Sequence, residues 1–276
     1  MTVRAFVIGH PISHSRSPLI HGTWLNAYGI DGSYDAIDVE PTVLPALFER
    51  LRRGEFAGGN VTIPLKEPVF ALCDSVDPLA RTIGAVNTLV ASGSKVHGFN
   101  TDFMGFLGNL DQQAPGWSEG LDEAIVLGAG GASRAILVAL RERGVKRVHL
   151  LNRTAATAEA VAGQIGDPVR AASWSSLAEL APRAGLLVNT TSVGMHGTAF
   201  AELPLDRLPG SALVTDLVYV PLRTPLLAQA QQRGLRTVDG LGMLLHQAVP
   251  GFEAWFGVRP EVTPALRTAV EATLGG

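Results

Sequence analysis

Short apolar runs rich in Val, Ile and Leu alternate along the chain with stretches whose apolar positions recur at helical spacing. The runs "RAFVIG" (4–9), "YDAIDVE" (34–40), "NVTIP" (60–64), "NTLVA" (87–91) and "KVHGFN" (95–100) predict strands. So do "AIVLGAG" (124–130), "RVHLLNR" (147–153), "LLVNTT" (186–191), "LVTDLVY" (213–219) and "RTVDG" (236–240). Between them, 18–28, 43–53, 131–143 and 224–233 have the 3.6-residue period of amphipathic helices. Strand–helix alternation of this kind predicts an α/β protein with mostly parallel sheets covered by helices on both faces. The polar, turn-rich stretch "DQQAPGWSEG" (111–120) is the nearest thing to a linker, and it separates one α/β unit from a second that starts at Asp122. The segment 240–257 has helical spacing but contains Pro250, which predicts a kink or break there.

Composition narrows the class. The chain has 276 residues, 46% hydrophobic and 17% charged, the balance of a folded globular protein. Its 22 Lys and Arg against 25 Asp and Glu give a formal net charge of -3, which argues against general binding to nucleic acid or a membrane surface. One cysteine, Cys73, rules out an internal disulfide and fits a reducing cytoplasm. The opening "MTVRAFVIGH" lacks the apolar core of a secretory signal, and no apolar run reaches spanning length. Seven histidines are present without HExxH or CxxC; His10 and His14 are four apart but lie in a loop containing Pro11, so no metal is expected.

"AIVLGAGGASRAILVALRERG" reads as strand, glycine turn and helix. Gly128, Gly130 and Gly131 let backbone approach a pyrophosphate whose charge would rest on the helix N-terminus. Ser133 replaces the third glycine of GxGxxG, yet the strand before and helix after supply the context the fingerprint needs. About 20 residues on, an NAD site wants an acid for the ribose hydroxyls. The strand here ends instead in Asn152-Arg153-Thr154. A guanidinium among neutral polar groups suits a 2'-phosphate, so NADP is the expected cofactor of a Rossmann-like domain with a parallel sheet. The competing role for Arg153 is a solvated loop charge.

A second set of polar residues sits in the first half. "GHPISHSRSP" offers Ser15 and Ser17; Ser17 before Pro18 also makes a good N-cap for the helix 18–28. "NVTIPLK" carries Asn60, Thr62 and Lys66, "GAVNT" carries Asn87, and "GFNTD" ends in Asp102. Each has an ordinary structural role open to it: Asp102 as a helix cap, Asn60 and Asn87 as partners of turn backbone, Thr62 as a strand residue. Tyr219 reads equally as a rim aromatic and Gln247 as a solvated helix residue.

Taken in order, "HSRSP", "NVTIPLK", "GAVNT", "FNTD", "GAGGASRA", "NRT" and "DGLGMLLHQA" resemble the shikimate dehydrogenases over nearly the whole chain. The resemblance implies NADP-dependent, reversible reduction of 3-dehydroshikimate to shikimate, in the route to aromatic amino acids. It implies Lys66 and Asp102 as the catalytic pair, with Lys66 the acid/base, and Ser15 and Ser17 at the substrate carboxylate. Asn60, Thr62, Asn87, Tyr219 and Gln247 would hold the ring hydroxyls or line the site. Gly128, Ala129, Gly130, Gly131, Ala132, Asn152, Arg153, Thr154, Thr191, Ser192, Leu217, Gly240 and Met243 would contact the cofactor. The division expected is 1–104 with 243–276 for a substrate-binding and catalytic domain, and 105–242 for the NADP domain. A cytoplasmic enzyme with a small-molecule substrate follows; a homodimer is allowed, and no nucleic-acid or membrane partner is expected.

Three positions depart from the family pattern: His21-Gly22 where His-Asn is usual, Phe103 after Asp102 where Gly is common, and Thr157 where a second basic residue often supports the phosphate clamp. Rival readings are a quinate/shikimate dehydrogenase of broader substrate and cofactor range, a shikimate-binding sensor without catalysis, and a generic Rossmann binding module. The first would want an acid near Arg153, the second a damaged Lys66–Asp102 pair. The third leaves "HSRSP" and "NVTIPLK" without a purpose.

Overall fold

The computed structural model describes residues 2–274. The chain forms two compact units, one built on the residues up to Asp102 together with Leu245–Thr273, the other on Phe103–Leu244.

The first unit carries strands β1 (Val3–Gly9), β2 (Gly32–Asp38), β3 (Gly58–Val61), β4 (Ser75–Val76), β5 (Thr88–Ser92) and β6 (Lys95–Phe99). They form one sheet in the order β2-β1-β3-β5-β6-β4. β1 runs parallel to both β2 and β3, but β5 is antiparallel to β3 and β6, so this sheet is mixed rather than parallel throughout. The cause is local: Ser92 pairs with Lys95 across Gly93-Ser94, and Gly93 takes a positive φ of 58°. A two-residue hairpin loop of that kind can only reverse the chain.

Helix α1 (Ser17–Tyr28) follows β1, α2 (Leu44–Arg52) follows β2, and the short α3 (Pro78–Ile83) precedes β5. On α2 the buried residues are Leu44, Leu47, Phe48 and Leu51, one stripe at i, i+3, i+4 and i+7. This stripe joins Phe6, Ile8, Val61, Leu65 and Leu89 in a single hydrophobic cluster.

α4 (Asp102–Gln113) leads into the second unit, which holds β7 (Glu123–Leu127), β8 (Arg147–Leu151), β9 (Val169–Ala172), β10 (Ala184–Asn189), β12 (Leu213–Asp216) and β13 (Arg236–Val238). The segment expected as a linker is thus helical as far as Gln113, because the apolar spacing of α4 runs into it. The sheet order β13-β12-β10-β7-β8-β9 is parallel throughout and is the doubly wound dinucleotide-binding order. α5 (Gly131–Glu142), α6 (Ala155–Ile165), α7 (Leu177–Leu180) and α8 (Pro225–Gln232) cover it, and the short β11 (Val193–His196) lies outside the sheet. Strands β4, β9 and β11 carry too few apolar residues to stand out in the sequence.

The C-terminal part is α9 (Leu241–Phe256) and α10 (Pro264–Glu271). α9 is one helix with Pro250 inside it, so the expected break does not occur. Leu245, Ala248, Val249, Phe252 and Trp255 are all buried at helical spacing. Burying five such side chains outweighs the ~3 kcal/mol that an interior proline costs.

His21 of α1 lies in an aromatic box within the first unit. Its ring stacks on Tyr34 with centroids 3.8 Å apart and also meets Trp24, Phe252 and Trp255. It is fully buried, and neither ring nitrogen has a hydrogen-bond partner. Burial lowers its pKa from 6.5 to about 3, outweighing the opposite pull of the nearby Asn60 amide, with which it makes no well-formed bond. The folded ring therefore stays neutral where an unfolded histidine would protonate, and the unfolded state binds the extra proton. Stability is fully present above pH 6.5 and is lost as pH falls toward about 3. Urea unfolding across this window is expected to lose an additional ~1.4 kcal/mol per pH unit in the wild type relative to His21→Phe, the slope of one proton; parallel curves for the two proteins would contradict it.

Candidate active site

In the first unit, the carboxyl ends of β1, β3 and β6 meet the start of β5, because β5 is antiparallel to its neighbours. Asn60 is the penultimate residue of β3, Thr62 follows the strand, and Lys66 comes after the turn in which Leu65 N–H donates to Thr62 O. Val86 N–H donates to the Lys66 carbonyl and pins its backbone. Lys66 Nζ then donates to Asp102 Oδ2 at 2.5 Å. The lysine side chain is 28% exposed and the aspartate 12%, so the ammonium is held at the rim of the unit rather than in bulk water.

The other oxygen of that carboxylate is also taken. Asp102 Oδ1 accepts from Asn87 Nδ2 at 2.8 Å. Asn87 Oδ1 accepts from Thr101 N–H at 2.8 Å and from Thr88 Oγ1 at 2.9 Å. Because the backbone N–H can only donate, the amide oxygen must face Thr101 and the NH2 must face Asp102. Thr101 Oγ1 in turn donates to the Gln247 carbonyl at 2.8 Å. The capping role open to Asp102 in the sequence belongs to Asn100, whose Oδ1 accepts from Asp102 N–H at 3.0 Å and leaves the Asp102 carboxylate to Asn87 and Lys66.

Asn60 is buried, with Oδ1 accepting from Tyr34 OH at 2.6 Å and Nδ2 facing the Asn87 carbonyl at 3.3 Å and Thr88 Oγ1 at 3.2 Å. Its amide is thus engaged within the protein. Thr62 is half-buried, and its hydroxyl has no partner among the described residues. α1 starts at Ser17 and has no side-chain cap at Arg16, so Ser17 is the first helical residue and not the N-cap. Ser15 supplies the contact instead, its Oγ accepting from Ser17 N–H at 3.3 Å. Gln247 is buried on α9, whereas Tyr219 lies half-buried in the second unit, in the loop after β12. Within the first unit the structure therefore gathers Lys66, Asp102, Asn87 and Asn60 with the Gln247 backbone into one hydrogen-bonded set.

In the second unit, the loops after β7, β8, β10 and β12 lie at the carboxyl ends of neighbouring parallel strands, where this topology binds ligands. Gly128 has φ of 102°, and a Cβ there would come within 2.7 Å of Thr191 Cγ2. Its N–H donates to Leu151 O at 2.7 Å. A Cβ on Gly130 or Gly131 would meet nothing within 4 Å, so open space lies above the first turn of α5. Ala129 shares this turn, and Ala132 stands exposed beside it. Asn152 Oδ1 accepts from Ala129 N–H at 3.2 Å and Nδ2 donates to Thr154 O at 3.0 Å, which ties the β8 loop to the glycine turn. Arg153 and Thr154 are exposed at its tip. An open helix N-terminus with an arginine beside it fits a phosphorylated dinucleotide.

Asn189 and Asp216, two residues that sequence reasoning passed over, hold these loops in shape. Asp216 is fully buried, and burial raises its pKa against the opposing hydrogen bonds of Thr224, Val218 and Asn189. Asn189 Nδ2 donates to Asp216 Oδ1 and to Val193 O, both at 2.8 Å, while its Oδ1 accepts from Thr191 N–H and Oγ1. Ser192 follows, exposed. Both residues end strands, β10 and β12, but lie inside the strand runs of the sequence, where nothing in the spacing separates a loop organiser from a strand residue. Leu217 N–H donates to Asn189 O, and a Cβ on Gly240 would stand 2.3 Å from Leu217 O. Met243 N–H donates to Gly240 O at 3.2 Å. Among the described residues no group of three or more His, Cys, Asp or Glu side chains could hold a metal, and no helix is long and apolar enough to cross a membrane.

A doubly wound sheet with an open glycine turn, in one chain with a lysine–aspartate pair on a separate α/β unit, defines the class of dinucleotide-binding α/β enzymes with a second, substrate-holding unit. Sequence comparison narrows it. Residues 7–89 match the shikimate dehydrogenase substrate binding domain, 116–199 the shikimate / quinate 5-dehydrogenase domain, and 240–270 the shikimate 5'-dehydrogenase C-terminal domain. The shikimate dehydrogenase (NADP(+)) of Methylobacterium radiotolerans is 56% identical over 100% of this chain and 99% of its own. The Thermus thermophilus shikimate 5-dehydrogenase, solved in complex with NADP(H) and shikimate, is 40% identical with a TM-score of 0.83, over 99% of this chain and 98% of that one. A quinate dehydrogenase from Corynebacterium glutamicum, solved in complex with NAD, is 29% identical with a TM-score of 0.87, over 99% and 98%. The chain belongs to the shikimate dehydrogenase family.

Gly240→Ala tests the close approach in the second unit. Its methyl meets backbone, not a flexible side chain, so the variant is expected to lose about 1–3 kcal/mol of stability to overpacking. Denaturant unfolding measures this, and a midpoint equal to the wild type's would contradict the packing described.

Proposed function

We propose that this chain catalyses the NADP-dependent, reversible interconversion of 3-dehydroshikimate and shikimate, with Lys66 and Asp102 handling the proton. The observation that carries the reading is the 2.5 Å contact between Lys66 Nζ and Asp102, with the carboxylate's second oxygen fixed by Asn87. Family membership supplies the substrate and cofactor: relatives of 52–56% identity bear the name shikimate dehydrogenase (NADP(+)).

NADP supplies the hydride chemistry when bound; the protein positions the ring and moves one proton. In the reductive direction negative charge grows on the carbonyl oxygen. The Lys66 ammonium stabilises that charge and donates the proton to the oxygen. Asp102 fixes where the ammonium points, and Asn87 fixes Asp102. In the oxidative direction the neutral Lys66 amine accepts the proton of the hydroxyl. Thr62, with its free hydroxyl, and Ser15 and Ser17 at the start of α1 are the groups we assign to the substrate. The open turn at Gly130 and Gly131 is assigned to the pyrophosphate, and Arg153 to the 2'-phosphate. We place the reaction in the cytoplasm: the single Cys73 thiol, whose pKa burial pushes up to about 12, needs no oxidising compartment.

Absorbance assays offering shikimate and quinate each with NADP+ and NAD+ test the reading. Turnover is expected to be fastest with shikimate and NADP+; a preference for quinate and NAD+ would favour the broader dehydrogenase instead. Lys66→Met is expected to lower kcat by about 10²–10⁴ with NADP+ affinity retained, and near-normal kcat would refute the assignment. Arg153→Ala is expected to raise the KM for NADP+ about tenfold while leaving that for NAD+ unchanged, the loss of one charge-assisted contact; an equal change with both cofactors would remove Arg153 from the 2'-phosphate.

A further inference from the structure

Tyr34 has no part in the site as the sequence presents it, yet it begins a chain of hydrogen bonds that ends on Asp102. It stands on β2, in register with Ala5 of β1, while Asn60 on β3 is in register with Val7. Ala5 and Val7 share a face of β1, so the phenol reaches diagonally across that strand to Asn60. The ring is buried and clamped flat against His21, with 10° between the planes.

The direction of each bond is fixed by its neighbours. The Asn87 backbone carbonyl can only accept, so Asn60 turns its Nδ2 toward it and its Oδ1 toward Tyr34. Tyr34 must therefore be the donor at 2.6 Å. Asn60 Nδ2 also faces Thr88 Oγ1, which spends its own proton on Asn87 Oδ1. Asn87 then donates to Asp102 Oδ1, and Lys66 to Oδ2. Every donor points toward the carboxylate. All the members between Tyr34 and Asp102 are buried, so none has water to replace a lost partner.

We propose that Tyr34 is a positioning residue for the proton-handling pair, acting through Asn60, Thr88 and Asn87 on Asp102. This rests on the function proposed above. Without the phenolic hydroxyl, Asn60 Oδ1 loses its donor and the amide is free to tilt; Thr88 then loses its fixed direction, and Asn87 holds Asp102 less firmly. Thr101 N–H still restrains Asn87, so the effect is partial and not total.

Tyr34→Phe keeps the ring on His21 and removes only the oxygen. Assayed well below its unfolding midpoint, it is expected to lower kcat for shikimate oxidation by about fivefold to tenfold, one hydrogen bond's worth, with the KM for NADP+ unchanged. A purely structural role would lower the unfolding midpoint and leave kcat alone. The isosteric Thr88→Val supplies the second arm: the double variant with Tyr34→Phe is expected to be no slower than Thr88→Val by itself, because both break one chain. A kcat for Tyr34→Phe within twofold of the wild type overturns the positioning role, and so do multiplicative losses in the double variant. Wild-type protein inactive on shikimate with NADP+ would overturn the proposed function and this inference together, whereas an active wild type with an unaffected Tyr34→Phe overturns this inference alone.

Discussion

A mostly shielded ammonium against a mostly buried carboxylate is expensive to assemble. Both ions give up hydration, and their attraction repays it only if the geometry is good and the remaining lone pairs are satisfied. The surroundings of Lys66 and Asp102 answer both demands. Asp102 Oδ2 takes the ammonium and Oδ1 takes Asn87 Nδ2. The helix start that Asp102 would otherwise cap is served by Asn100, itself anchored by Nδ2 donating to Ala85 O. The antiparallel β5 brings Asn87 to the carboxyl end of β3 and next to the end of β6, so residues far apart in the chain share one rim. A parallel strand there would have carried Asn87 to the opposite end of the sheet.

The second unit solves a related problem by the same means. The loops we assign to the cofactor must be shaped without a regular backbone partner, and a buried carboxylate does the shaping. Asp216 accepts from Asn189, Val218 N–H and Thr224, and Asn189 passes the constraint on to Thr191 and Val193. Asn152 does the equivalent for the turn at Gly128. In each unit the residues we assign to ligand are held by polar groups that face inward, the division of labour expected where geometry must be kept to a fraction of an ångström.

How much of this could be read beforehand depended on the range of the interaction. The glycine turn, α1, α2 and α5 follow from local spacing and were legible. So was the pairing of Lys66 with Asp102, though only because their motifs occur together. Of the kink or break expected at Pro250, the break does not occur, because its local cost is outweighed by the burial of Phe252 and Trp255, which spacing alone does not weigh. The capping role of Asn100 was hidden for a simpler reason: Asn and Asp two residues apart offer the helix the same oxygen, and only coordinates say which one it takes. Tyr34, Thr88, Asn189 and Asp216 were invisible because a polar residue in a strand run reads the same whether it lies at a rim or supports a site.

The most direct measurement is a crystal structure of the wild-type chain with NADP+ and shikimate both bound. Lys66 Nζ is expected within about 3 Å of the reacting hydroxyl and still bonded to Asp102, with Asn87 on the other carboxylate oxygen. An ammonium turned away from that hydroxyl, or an Asp102 released from both partners once substrate is in place, would contradict it.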